Sequence, residues 1–380
     1  MIYRASSPTV RYLLSSTALV AVAMVCATSS SALAAPQGGV GVAGSTVIES
    51  TGSTTTIRQS SGRAIIRWDS FNVGASEHVD FQQPSSSSIT VNRIQDSNPS
   101  QIHGRITANG NIMLLNPNGV VFGAGSQVDV GGIVAATSDL EDDAAFMVGG
   151  DVKLTRPGNP DAQIINHGTM TIGQAGLAGL VAPHVENHGV IEARLGKVSL
   201  ASGDISTIDF AGDGLILIEA SDAMTKQVVK NTGALKADGG RILVTAAVAR
   251  NVVDGLIVNE GQIQTHTVAA QGGHIRLVGS QSTIQNTGKI EAKGSGTENG
   301  GRIEIEGRFV ALGGKISADG QNGGSIDVKA DTLSLADSIT AKGLNGQGGS
   351  ITVNSSGDTW ETSTSRLNVD GLTNGEVSGR

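Results

Sequence analysis

The most regular signal in the chain is a two-residue alternation that restarts after Gly-Gly pairs. Arg302-Ile303-Glu304-Ile305-Glu306 and Ser325-Ile326-Asp327-Val328-Lys329 set apolar side chains on one face and polar ones on the other, as a strand with one buried face does. The pairs stand at Gly239-Gly240, Gly272-Gly273, Gly300-Gly301, Gly313-Gly314, Gly323-Gly324 and Gly348-Gly349, each followed by one polar residue and then Ile. A second series interleaves with the first: Asn166-His167-Gly168, Asn187-His188-Gly189, Asn231-Thr232-Gly233, Asn259-Glu260-Gly261 and Asn286-Thr287-Gly288, at intervals of 21, 44, 28 and 27 residues. Such spacings fit one turn of a solenoid, two turns, then one turn each with insertions. The predicted fold is all-β: a right-handed parallel β-helix (solenoid) with an amino-terminal cap and short extra-helical hairpins or helices. Ile and Val fill the interior, Gly and Asn make the corners, and the repeated Asn predicts stacked side-chain amides.

Upstream, the pattern is organised around Asn116-Pro117-Asn118-Gly119, flanked by the apolar runs Ile112 to Leu115 and Val120 to Phe122. Each of the four suits its place in a type I turn between two strands. Asn98-Pro99-Ser100-Gln101 offers a second Asn-Pro turn. Trp68 and Phe71 end an earlier strand, where they either cap the open end of the stack or mark a sugar-binding surface; capping is the favoured reading, because exposed repeat ends need covering. Looser apolar spacing at 220–234 and 245–258 predicts short helical excursions. The acidic run Asp139 to Asp143 reads as a solvated surface excursion, since no glycine supports a calcium loop. After Val353 the alternation fades. The resulting division is 1–34, a signal peptide; 35–245, the first coils; 246–353, a repeat body; and 354–380, a polar tail.

Composition agrees with strands over helices: 53 Gly, 8 Pro and 3% aromatic residues in 380, with abundant Val, Ile and Thr. Arg4 and Arg11 precede an apolar stretch at Leu13 to Ala27 and the small-residue site Ala32-Leu33-Ala34, the layout of a signal peptide. Its removal takes the one cysteine, Cys26, and two of 26 basic residues, leaving 24 against 34 acidic ones. So acidic a chain carries no electrostatic footprint for nucleic acid. An exported chain without cysteine can stay uncrosslinked while threading a second membrane.

Several stretches in order resemble the amino-terminal secretion domain of filamentous haemagglutinin-like exoproteins exported by two-partner secretion (TPS): Trp68-Asp69-Ser70-Phe71-Asn72-Val73-Gly74, Val91-Asn92-Arg93-Ile94, Asn98-Pro99-Ser100-Gln101-Ile102, Asn116 to Gly123 and Val130-Gly131-Gly132-Ile133-Val134-Ala135. The similarity covers about Gly38 to Thr245. The upstream Asn-Pro-Asn-Leu motif of some members is absent. The resemblance implies a secretion motif of turn or recognition residues at Asn92, Arg93, Asn98, Pro99, Asn116, Pro117, Asn118 and Gly119. It also implies capture by the periplasmic domains of a dedicated outer-membrane transporter, passage through its barrel, and folding outside. The implied location is secreted or cell-surface associated, reached through the inner and then the outer membrane. An adhesin role is implied in turn, with a host or neighbouring-cell receptor or glycan as the partner.

Chemistry-bearing constellations are sparse, and no cofactor, metal or catalytic residue is expected. The β-helix also serves polysaccharide lyases and hydrolases, so a carbohydrate-active enzyme is the second reading and a truncated remnant of a longer adhesin the third. A glycosidase needs paired acids at a defined separation, whereas Glu192, Glu304, Glu306 and Asp327 alternate with Lys and Arg like a solvated face. His184-Val185-Glu186-Asn187-His188 has the i, i+4 histidines of a zinc-protease helix, but the Glu is misplaced and Pro183 and Gly189 make this a β corner that separates the rings. His167 and His188 hold equivalent repeat positions and are expected to stack. No Gly-x-Ser-x-Gly elbow is present.

Overall fold

In the computed structural model, residues 35–210, 216–224, 226–248, 255–268, 270, 272–373 and 375–379 are described; the predicted signal peptide lies outside them. Strands wind into coils whose successive turns pair in parallel along three columns. One column runs from Arg63–Trp68 through Ile89–Ile94, Leu177–Ala182, Lys197–Ser202 and Arg241–Ala246 to Ser325–Leu335 and Ser350–Ser355. A second passes through Gly119–Phe122, Gln163–Asn166, His184–Asn187, Val228–Asn231 and Gly255–Asn259. A third passes through Thr169–Ile172, Val190–Ala193, Ala234–Lys236 and Gln262–Gln264. Register is kept from coil to coil, so Ile57, Ile106, Ile164, Ile191, Ile242, Ile275, Ile303 and Ile326 all meet in one continuous core.

The corners of the second column follow from two close approaches. Buried Asn166, Asn187, Asn231, Asn259 and Asn286 form a ladder in which each amide nitrogen donates to the next Asn carbonyl oxygen, at 2.8, 2.8, 2.7 and 2.7 Å. Two residues on, glycines stack so tightly that a Cβ on Gly233 would stand 2.1 Å from the Gly189 carbonyl oxygen. Asn-x-Gly is thus a packing requirement of the stack.

At the amino-terminal end the coil edges meet antiparallel strands. Val40–Ala43 pairs with Arg63–Trp68, and Thr46–Thr51 with Thr54–Gln59. Outside the coils, Asp139–Leu140, Val152–Arg156, Ile205–Ile208 and Ile216–Glu219 form a four-stranded antiparallel sheet, and Asp143–Val148 forms the helix α1. These cover a second apolar layer, in which outward-facing Ile65, Val91, Met113, Val134, Val181 and Ala201 are buried against Leu140, Phe146, Leu154 and Ile208. Strands such as Leu177–Ala182 are therefore buried on both faces.

Four local expectations change. The 44-residue interval from Asn187 to Asn231 is one coil and not two turns, because Asn187 pairs directly with Asn231 and the outer-sheet strands Ile205–Ile208 and Ile216–Glu219 are inserted between them. The looser segments are not helical where described: Val228–Asn231 and Gly255–Asn259 are strands of the second column, and Met224 is buried. Their spacing is irregular because the coil connections there are longer. The acidic run is not a plain solvated excursion, since Asp142 accepts the Ala145 N–H as the cap of α1 at 2.9 Å, while Asp139 and Asp143 bind Arg93. The described residues after Val353 keep adding to the coils, with strands at Thr359–Glu361, Arg366–Asn368 and Glu376–Gly379. Their apolar residues are too few to register as alternation.

Candidate functional site

Asn116-Pro117-Asn118-Gly119 forms a closed turn: the Gly119 N–H donates to the Asn116 carbonyl at 3.0 Å, and the Asn118 N–H to the Asn116 side-chain oxygen at 2.9 Å. Gly119 holds φ at +107°, and a Cβ there would stand 2.3 Å from the Gln163 carbonyl oxygen. Both demands exclude a side chain. The Asn116 amide nitrogen then donates to the Asn98 carbonyl at 3.1 Å and the Ser100 hydroxyl at 3.0 Å, and that of Asn118 to the Asp96 carbonyl at 2.8 Å. The turn is thereby clasped to the preceding corner at Asn98-Pro99. From the other side, the Asn159 N–H donates to the Pro117 carbonyl at 2.9 Å.

Asn92 and Arg93 are in the strand Ile89–Ile94 rather than at a turn. Asn92 is fully buried; its oxygen accepts the Trp68 indole N–H at 3.0 Å, and its nitrogen donates to the Met113 carbonyl at 3.1 Å. Trp68 meets Phe71 edge-on, with centroids 5.3 Å apart, and both rings are buried. Gly39, next to the first strand, lies over the Trp68 ring. Arg93 binds Asp143 through both terminal nitrogens, at 3.0 and 2.6 Å, and Asp139 through Nε at 2.8 Å. The Asp143 hydrogen bond dominates, so the guanidinium is held more firmly protonated and the Asp143 carboxyl below its ordinary range.

The structure brings these residues into two groups: the paired Asn-Pro corners, and the Trp68–Asn92 contact with Arg93 reaching the outer layer. Sequence reasoning missed Asp139 and Asp143 as partners of Arg93, for they lie 46 and 50 residues away with no periodic relation to it. His167 and His188 stack as expected, but His184 and His188 are not separated as expected. Strand alternation puts His184, Glu186 and His188 on one side, and both rings reach the same carboxylate, His184 at 2.6 Å. His167 stacks on His188 with centroids 4.7 Å apart. Among the described residues no group of three or more His, Cys, Asp or Glu is placed to hold a metal ion.

A capped parallel β-helix with an antiparallel outer sheet and Asn-Pro corners that fasten its first coils is the architecture of a secretion domain. The family model of the TPS secretion domain matches residues 32–292, and the chain belongs to that family. It is 32% identical over 273 residues to a heme/hemopexin-binding protein of Haemophilus influenzae, covering 70% of this chain and 30% of that protein. A second protein of that name and species is 28% identical over 269 residues, covering 65% and 28%. The chain thus spans less than a third of the length of these relatives. The crystal structure of the HMW1 secretion domain from Haemophilus influenzae superposes with a TM-score of 0.68 at 26% identity, over 89% of this chain and 100% of that one.

Proposed function

We propose that this chain is the export-directing part of a secreted, nonenzymatic surface-attachment protein, passed through a partner outer-membrane transporter in extended form and folded outside. The observation that carries the reading is the family match over residues 32–292. The fold supports the mechanism. Each coil is stabilised mainly by its neighbours, so a coil that closes outside cannot return through a pore that admits only extended chain.

Within this reading, Trp68 and Phe71 cap the first coil, and Asn116 to Gly119 close the first coils after transit instead of serving as a surface read on the folded domain. The support is that the side-chain amides of Asn116 and Asn118 are both spent on the neighbouring corner. The test measures export from cells carrying the partner transporter alongside refolding of purified protein. Asn116→Ala and Gly119→Ala are expected to slow refolding and lower export together. Export lost with refolding unchanged would assign the corner to recognition of the unfolded chain. Unchanged export without the transporter would end the mechanism.

A further inference from the structure

A separate site stands on the outward face of the coils, independent of export. Leu177, Lys197, Arg241 and His274 share one level of the first column, and Gly179, Ser199, Leu243 and Arg276 share the level two residues on. Ile216, from the outer antiparallel sheet, reaches over Gly179, where a Cβ would come within 2.7 Å of its Cδ1. Between them lies a half-enclosed cavity of about 230 Å³. Its wall is apolar, made by Leu177, Ile216 and outward-facing Leu243, while its rim is basic.

Three features of this cavity call for a ligand. Ser199 is 4% exposed, yet its hydroxyl has no hydrogen-bond partner, an arrangement that is costly to leave unmade. The His274 Nε2, also buried, makes no hydrogen bond but faces the Glu304 carboxylate at 3.6 Å, so it is not free for a ligand. Arg276 and Arg302 are both held by Glu304, at 2.7 and 2.6 Å. Arg241 is exposed and, among the described residues, has no carboxylate partner. An unpaired guanidinium, an orphaned buried hydroxyl and an apolar wall in one pocket are complementary to an anion with a hydrocarbon tail.

We propose that this pocket binds a medium-chain aliphatic carboxylate, with its carboxylate on Arg241 and the Ser199 hydroxyl and its tail between Leu177, Ile216 and Leu243. The cavity has the volume of roughly eight liquid waters at about 30 Å³ each, which suits a short chain and excludes a bulky one. The larger trench alongside, floored by Gly273, Gly301, Gly324 and Gly349, shares Arg241 and His274 with this pocket but is lined by no aliphatic side chain that could hold a tail. The N–H groups that follow these glycines, at His274, Arg302, Ser325 and Ser350, already donate to the preceding coil.

Calorimetric titration of the purified protein with octanoate tests the assignment, with 1-octanol and acetate as the tail-only and charge-only probes. Saturable one-site binding of octanoate is expected, with both controls at least tenfold weaker. Arg241→Gln should weaken octanoate at least tenfold and Ser199→Ala several-fold. The exposed position of Arg241 leaves folding intact, checked by circular dichroism and thermal midpoint. Absence of saturable octanoate binding, octanol binding as tightly as octanoate, or an Arg241→Gln affinity equal to that of the unaltered protein would each overturn the proposal.

Discussion

Asn231 shows what a single corner residue contributes. Its amide nitrogen donates to Asn259 and its oxygen accepts from Asn187, so an apolar replacement leaves a buried acceptor on one side and a buried donor on the other. Each orphaned group costs about 1–3 kcal/mol, and Asn231→Leu is expected to lower unfolding free energy by about 2–3 kcal/mol in a urea titration. Nearby, Glu186 couples the same corner to pH. Burial pushes its carboxyl up, but hydrogen bonds from His188 and His184 outweigh burial and leave it below the ordinary carboxylate range. The unfolded chain then takes the proton more readily, so this contribution is whole above the ordinary carboxylate pKa and is lost as pH falls through the depressed folded value. Urea midpoints should drop as pH falls below about 4.5, and Glu186→Gln should remove part of that slope.

Among elements, the outer layer hangs on two arginines of adjacent coils. Arg93 grips Asp143 at the start of α1 and Asp139 before it. Arg63 donates to the Phe146 and Gly150 carbonyls at 2.7 and 3.0 Å and sits over the Phe146 ring. Arg93→Ala should therefore free residues 139–156 while leaving the coils intact, seen as at least tenfold faster amide exchange confined to that segment. This layer also marks where the sequence is legible and where it is not. From Arg241 onward one strand face meets water, and the alternation in Arg302-Ile303-Glu304-Ile305 is plain. In Ile112-Met113-Leu114-Leu115 both faces are buried, the outer one beneath residues far along the chain, so the period vanishes though the strand remains. The Asn-x-Gly corners were legible because five successive coils repeat them. The Arg93 carboxylates were not, because an ion pair between a coil and an excursion leaves no period to read.

Over the whole coil stack, large side chains are unevenly spread. Trp68, Phe71, Phe81 and Phe122 are fully buried in the first coils, whereas beyond Val130 the described core of the coils is aliphatic. Aromatic rings bury more surface each than the aliphatic side chains they replace, and the amino-terminal coil edges are covered by antiparallel strands. In a stack where each coil meets only its neighbours, stability is a sum of local terms, and order spreads from the strongest segment. Damage should therefore be felt downstream of its position. Gly261→Val places a branched side chain where a Cβ already stands 2.1 Å from the Gly233 carbonyl oxygen, and Gly349→Val repeats the insult near the far end, 2.1 Å from that of Gly324. Hydrogen exchange read by mass spectrometry should show Gly261→Val stripping protection from residues 262–353 while the coils at 63–200 keep theirs. Gly349→Val should affect only the coils around it. Equal loss along the chain from both variants would mean that the coils fold as one cooperative unit, and export driven by sequential closure would then lose its physical basis.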